Sequence, residues 1–325
     1  VLYGSFFLLF ITIAVFYMTM YPVFSQLVAG KQISLEAPTY TSATRPFFLC
    51  ILLLMGIAPL VGWRRPTASQ VARNAAVPAA TAIVLTLLFA VLGARDLWSM
   101  FFFAASFFIF TVIVLDIRRL LKARKEMTEG RGETGVFVTY RRRFGAYISH
   151  VSVALMAIGV VGSMTYQKDR LFEGLMPGQV VSIDGYRITY KGFETVKRPE
   201  YEGAKVNLSV VRPGYARSED VAPERRVYGR TRQPAAEVAI LSTIVPTSFS
   251  NLKRAGEDFY VIPQAIDLAN NVASIEVLVH PMVNWLWLGG VLLLVGTLVA
   301  YWPDRREPEF APVRAARTSP AVEAP

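Results

Sequence analysis

The 325-residue chain is 53% hydrophobic and carries 34 Lys and Arg against 24 Asp and Glu, a formal net charge of +10 at pH 7. Its single cysteine and two histidines exclude an internal disulfide, a CxxC redox or haem-attachment motif and a multi-histidine metal cluster. Several long apolar runs indicate a polytopic membrane protein, in which basic residues report the cytoplasmic side, so no nucleic-acid partner is expected.

Residues 2–27 form the first expected span, rich in Phe, Leu and Ile, with Tyr21-Pro22 bending its far end. Apolar almost from its start at Val1, the chain reads as a segment of a longer protein, and the run is too long and lacks the basic flank of a signal peptide. A polar loop from Lys31 leads to Arg45-Pro46 and a second span, 47–63. Arg64, Arg65 and Arg73 mark the next loop, 64–74, as cytoplasmic, which puts Val1 inside and residues 31–45 outside. The third and fourth spans, 75–92 and 98–115, are joined by a tight outer connection, Arg95-Asp96-Leu97-Trp98. Phenylalanines 101–103, 107, 108 and 110 read as lipid-facing. Loop 118–143 has the strongest basic bias in the chain and is expected in the cytoplasm.

The fifth span, 144–166, has no formal charge but contains His150, and an ionisable side chain inside a span marks a site by default. Ala146, Val153, Ala154 and Ala157 flank it at helical spacing, leaving room for something flat and large. Neutral imidazole is a common iron ligand, and an axial haem nitrogen needs a clear surface around it; a histidine bonded to a neighbouring helix is the equally weighted bland reading. Seven residues at about 1.5 Å each put His150 roughly 10 Å inside the membrane from Arg143. Arg141, Arg142 and Arg143 are then candidates for haem propionates, although basic residues at a span's cytoplasmic end need no ligand.

Residues 167–279 read as an extracytoplasmic β domain. Residues 180–190 alternate around Asp184-Gly185, a hairpin signal, and 205–211, 238–241, 259–262 and 274–279 are further strand candidates, which suggests a small sandwich or barrel. A loop dense in arginine, with Arg225, Arg226 and Arg230, is a candidate partner-binding patch, set against the commoner solvated role of surface arginines. His280 precedes the last span, 282–301, as a wetted loop residue, Trp285 and Trp287 form an interfacial belt, and the tail 303–325 is expected to be disordered and cytoplasmic. The fold class expected is therefore an α-helical polytopic membrane protein of six spans: residues 1–166 hold five, the β domain is inserted after the fifth, and 280–302 hold the sixth.

Taken in order, Tyr21-Pro22, Ala37-Pro38-Thr39-Tyr40, Tyr147-Ile148-Ser149-His150 with Gly159 and Gly162-Ser163, Pro223 to Tyr228, and Asn284-Trp285-Leu286-Trp287 resemble the C-terminal half of CcmF. That family comprises membrane haem lyases of cytochrome c maturation. The resemblance implies that His150 is one axial ligand of a structural haem b, and that an N-terminal half with a Trp-rich WWD domain supplies the other. It also implies CcmH/CcmI-type subunits, the haem carrier CcmE and apocytochrome c CxxCH thiols as partners, quinol as electron donor, and a place in the cytoplasmic (inner) membrane. His280 departs from the pattern, standing where Lys is expected. No catalytic residue is assigned. Rival readings are a haem transporter or permease, and a non-catalytic assembly module that only docks partner subunits.

Overall fold

The computed structural model describes residues 2–61, 67–91, 96–128, 140–228, 234–243 and 256–302. Six helices among them are long and apolar enough to cross a membrane. In chain order they are α1 (Leu2–Ala29), α2 (Ala37–Val61), α3 (Ala68–Val91), α4 (Leu97–Thr128), α5 (Arg141–Tyr166) and, after a run of strands, α6 (Asn284–Tyr301). Each expected span has its helix, but the ends differ for local reasons. Helix α2 begins ten residues early, with Pro38 in its first turn, where a missing N–H costs little. Thr67 and Gln70 form a reciprocal capping box that starts α3 ahead of its apolar run: the Thr67 amide donates to Gln70 Oε1 at 3.1 Å, and the Gln70 amide to Thr67 Oγ1 at 3.4 Å. Asp96 caps α4 through the Ser99 amide at 2.9 Å, and that helix runs on past Leu115 into the basic stretch.

Helix α4 is the hub, packed against α2, α3 and α5, whereas α1 packs against α2. The hub position overturns the lipid-facing reading of most of its phenylalanines. Phe103 is fully buried, with its ring centroid 4.9 Å from that of Phe89 on α3, and Phe102 is also buried; Phe101 faces outward. Ala154 is buried with Phe102, Ala105 and Ile109 between α4 and α5, not on the open side of α5.

Among the described residues ten strands follow α5: β1 (Lys168–Leu175), β2 (Val180–Ile183), β3 (Tyr186–Lys197), β4 (Tyr201–Val211), β5 (Ser218–Val221), β6 (Glu224–Tyr228), β7 (Pro234–Glu237), β8 (Ala239–Thr243), β9 (Glu257–Asp267) and β10 (Val272–His280). They form a sandwich of one sheet ordered β1-β10-β9-β8 and another ordered β2-β3-β4-β6-β7, with β5 also on β4. Asp184 and Gly185 both have positive φ, 48° and 83°, the backbone of a two-residue type I′ hairpin turn. Alternate residues of β3, β4 and β10 point inward, so that Tyr186, Ile188, Val206, Leu208, Ile275 and Val277 fill the core with Phe259 and Val261 of β9. Tyr186 stacks on Phe259 with centroids 4.2 Å apart and donates to the buried Glu257 carboxylate at 2.7 Å. The arginine-dense stretch read as a loop is in part strand β6, whose register with β4 pairs Ala204 with Arg225 and Gly203 with Arg226.

Candidate functional site

Helices α5 and α6 lie close enough that glycine is required along their contact. A Cβ on Gly145 would stand 2.5 Å from the Ala300 amide nitrogen, and one on Gly296 would stand 2.7 Å from the Ser149 amide nitrogen. Nearer the other end, a Cβ on Gly159 would meet the Leu286 nitrogen at 2.6 Å. Small residues that admit such backbone approach are the usual means of joining helices in a bilayer, where water no longer drives their association.

His150 lies beside this seam, half-buried. Its Nδ1 is 2.7 Å from the Ala146 carbonyl oxygen one turn back. A carbonyl can only accept, so Nδ1 carries a proton, and in the neutral tautomer this selects, the lone pair is on Nε2. The ring opens on a cleft of about 630 Å³ whose walls include Arg142, Ser149, Thr297, Tyr301 and Trp302. That volume is in the range of small-molecule and cofactor sites. An oriented imidazole with a free Nε2 beside such space suits a metal-bearing planar ligand, since a ligating histidine commonly has its other nitrogen fixed by a hydrogen bond.

The three arginines at the start of α5 diverge. Arg142 lines the cleft, and Arg141 donates to the Trp302 carbonyl at its rim. Arg143 instead binds Asp116 of α4 at 2.7 Å and also donates to the Tyr147 hydroxyl, which itself donates to Asp116. Asp116 therefore ties α4 to α5 one turn before His150. Sequence reasoning passed over it, although an acidic residue among Leu115 and Ile117 was a visible signal. The far wall of the cleft, with Thr297, was also missed.

Of the arginines proposed for a partner, Arg226 is engaged within the sandwich. It pairs with Glu224 at 3.0 Å and with Glu237, and its guanidinium lies 4.6 Å from the Tyr201 ring centroid. Arg225 is half-buried on the same strand, and Arg230 lies outside the described residues. His280 is the last residue of β10 rather than a wetted loop residue: it is half-buried, 3.2 Å from Ser163 Oγ and edge-on to Tyr260. Among the described residues no group of His, Cys, Asp and Glu is placed to hold a bare metal ion.

Residues 165–258 match the family model of the CcmF C-terminal β-sandwich. The cytochrome c-type biogenesis protein CcmF of Pseudomonas aeruginosa is 26% identical over 89% of this chain and 41% of its own length. The CcmF of Escherichia coli K12 is 24% identical over 92% of this chain and 42% of its own length. A solved cytochrome c haem lyase CcmF superposes with a TM-score of 0.64 and 25% identity over 92% of this chain and 45% of that one. The chain thus spans less than half the length of the relatives it matches. With six apolar helices and such relatives, it is a multi-pass membrane protein. Family model, curated relatives and solved structure agree with one another, and together they support a CcmF C-terminal region.

Proposed function

We propose that this chain is part of the haem lyase of cytochrome c maturation and that His150 is an axial ligand of a membrane haem b. The observation that carries this reading is the His150 ring itself, held through Nδ1 by Ala146 with Nε2 free beside the cleft. The residues present fit the group. Small or hydroxylated side chains flank the imidazole, and Arg142 supplies positive charge at the mouth for a propionate. Arg143 is discounted because Asp116 already holds it. When bound, the haem would supply one-electron chemistry, while the chain's own part is to hold the imidazole through Nδ1 and turn Nε2 toward the cleft.

In this reading the second axial ligand and the WWD domain come from sequence corresponding to the rest of the relatives' length. CcmE delivers haem, CcmH/CcmI-type subunits present apocytochrome c, and quinol donates electrons. The excess of basic residues from Arg118 to Arg143 supports a reading in which that connection is cytoplasmic and the sandwich lies on the outer side of the inner membrane. Replacing His150 with Ala in the complete assembly is expected to remove or greatly weaken the haem b absorbance and lower holocytochrome c yield. Unchanged absorbance would remove the ligand assignment. Absorbance restored by added imidazole would separate loss of the ligand from loss of fold.

A further inference from the structure

Where the sandwich meets the membrane helices, one carboxylate has several claimants. Asp258 of β9 is only 4% exposed. Its Oδ1 accepts from Asn284 Nδ2, at the start of α6, at 2.9 Å, and its Oδ2 accepts from the Tyr260 hydroxyl at 3.1 Å. His280 is its cross-strand partner in the β9–β10 ladder, so both side chains stand on the same face. The same joint is closed by the Asn284 amide donating to the Gly256 carbonyl at 3.1 Å, and by Ser163 of α5 against the His280 ring.

We propose that His280 makes this joint proton-sensitive: a proton on its ring draws the Asp258 carboxylate away from Asn284 and loosens the start of α6 from the sandwich. The charged and titratable groups around the ring are few. Strand β9 contributes Asp258 and Tyr260, α5 contributes the Ser163 hydroxyl, and on β1 Asp169, paired with Leu278, shares the face of the ring, whereas Lys168, paired with Val279, lies on the opposite face and is held by Asp184. Burial makes the imidazolium costly and lowers the His280 pKa, and the Asp258 charge offsets this only in part. Protonation is therefore relieved in two ways, by water entering the joint or by Asp258 turning to the ring, and both act against the Asn284 contact. A protonated ring has two donors, so the Ser163 hydroxyl must then accept from Nδ1 or let go. Because the folded-state pKa lies below the unfolded value, stability at the joint is full above the ordinary histidine range and falls as pH drops through it. The inference does not depend on what His150 binds.

Hydrogen–deuterium exchange on the full-length protein in lipid nanodiscs tests this, followed over residues 280–288 from about pH 7.5 to about pH 5, across the imidazole range. After correction for intrinsic exchange, the opening of this segment should rise on acidification by up to about tenfold per pH unit, the limit for one linked proton. His280→Gln should abolish the rise. Two results overturn the proposal: exchange in the unmodified protein that stays level, or a response of equal size in His280→Gln. Asp258→Asn guards against a His280 variant that fails to fold. It removes the carboxylate but keeps the ring, so it should shrink the response, and an undiminished response would rule out the exchange of partners.

Discussion

Two glycines six residues apart on α6 should respond in opposite directions to the same added methyl. At Gly296 a Cβ would meet Ser149 Oγ at 2.6 Å, the Ser149 amide nitrogen at 2.7 Å and the Gly145 carbonyl oxygen at 3.0 Å. Two of those three atoms are backbone and cannot rotate aside. Ordinary contact begins near 3.5 Å, so α6 must move off α5 by roughly 1 Å, losing dispersion along much of the seam. Overpacking of this kind costs about 1–3 kcal/mol, and the gain in helix propensity from Gly to Ala returns at most about 1 kcal/mol. At Gly290 nothing lies within 4 Å of the added carbon, so only the propensity gain remains. Thermal denaturation of the full-length protein in detergent should therefore show a lower midpoint for Gly296→Ala and an unchanged or higher one for Gly290→Ala. Thr297 and Ala300 share the helix with Gly296 and face the His150 cleft, so if that cleft holds haem as proposed, Gly296→Ala should also retain less of it. Midpoints that shift alike in the two variants would refute the view that close backbone approach holds α5 to α6.

In the sandwich, Tyr186→Phe removes the 2.7 Å hydrogen bond to the buried Glu257 carboxylate and should cost about 1–3 kcal/mol, seen as faster exchange of the β3 and β9 amides. Gly185→Ala forces a side chain onto a φ of 83° and should cost about 1–2 kcal/mol, read in the same exchange experiment over the β2–β3 hairpin. Arg226→Ala leaves Glu224 without its 3.0 Å partner and should lower the denaturation midpoint more than Arg225→Ala does. If the arginine face also receives a partner, Arg225→Glu should weaken salt-sensitive capture of CcmE or apocytochrome c without that loss of stability; capture indifferent to both reversal and salt would remove the docking role.

What could be read from the sequence was whatever announces itself within a few residues. Twenty apolar residues need no neighbour to be recognised as a span, and Asp184-Gly185 between alternating segments needs none to be recognised as a hairpin. His150 was legible for the same reason, as one ionisable ring in an uncharged run, and its tautomer follows from the carbonyl one helical turn back. The failures share a different cause. Strand β6 looked like a loop because its charges are balanced across strands: Arg226 meets Glu237 of β7, and the Tyr201 ring beneath it comes from β4. Asp116 was passed over because its partners Arg143 and Tyr147 lie 27 and 31 residues away. The basic cluster before His150 read as one feature, yet helical rotation sends Arg142 to the cleft and Arg143 to Asp116 although they are adjacent in the chain. A charged residue's partner is chosen by the packing of whole helices and sheets, so local pattern can indicate that a residue is costly to bury but not which group offsets the cost. His280 shows the consequence: beside a proline it read as a solvated turn, and only the closing of β10 against β9 and α5 brings it to Asp258 and Ser163.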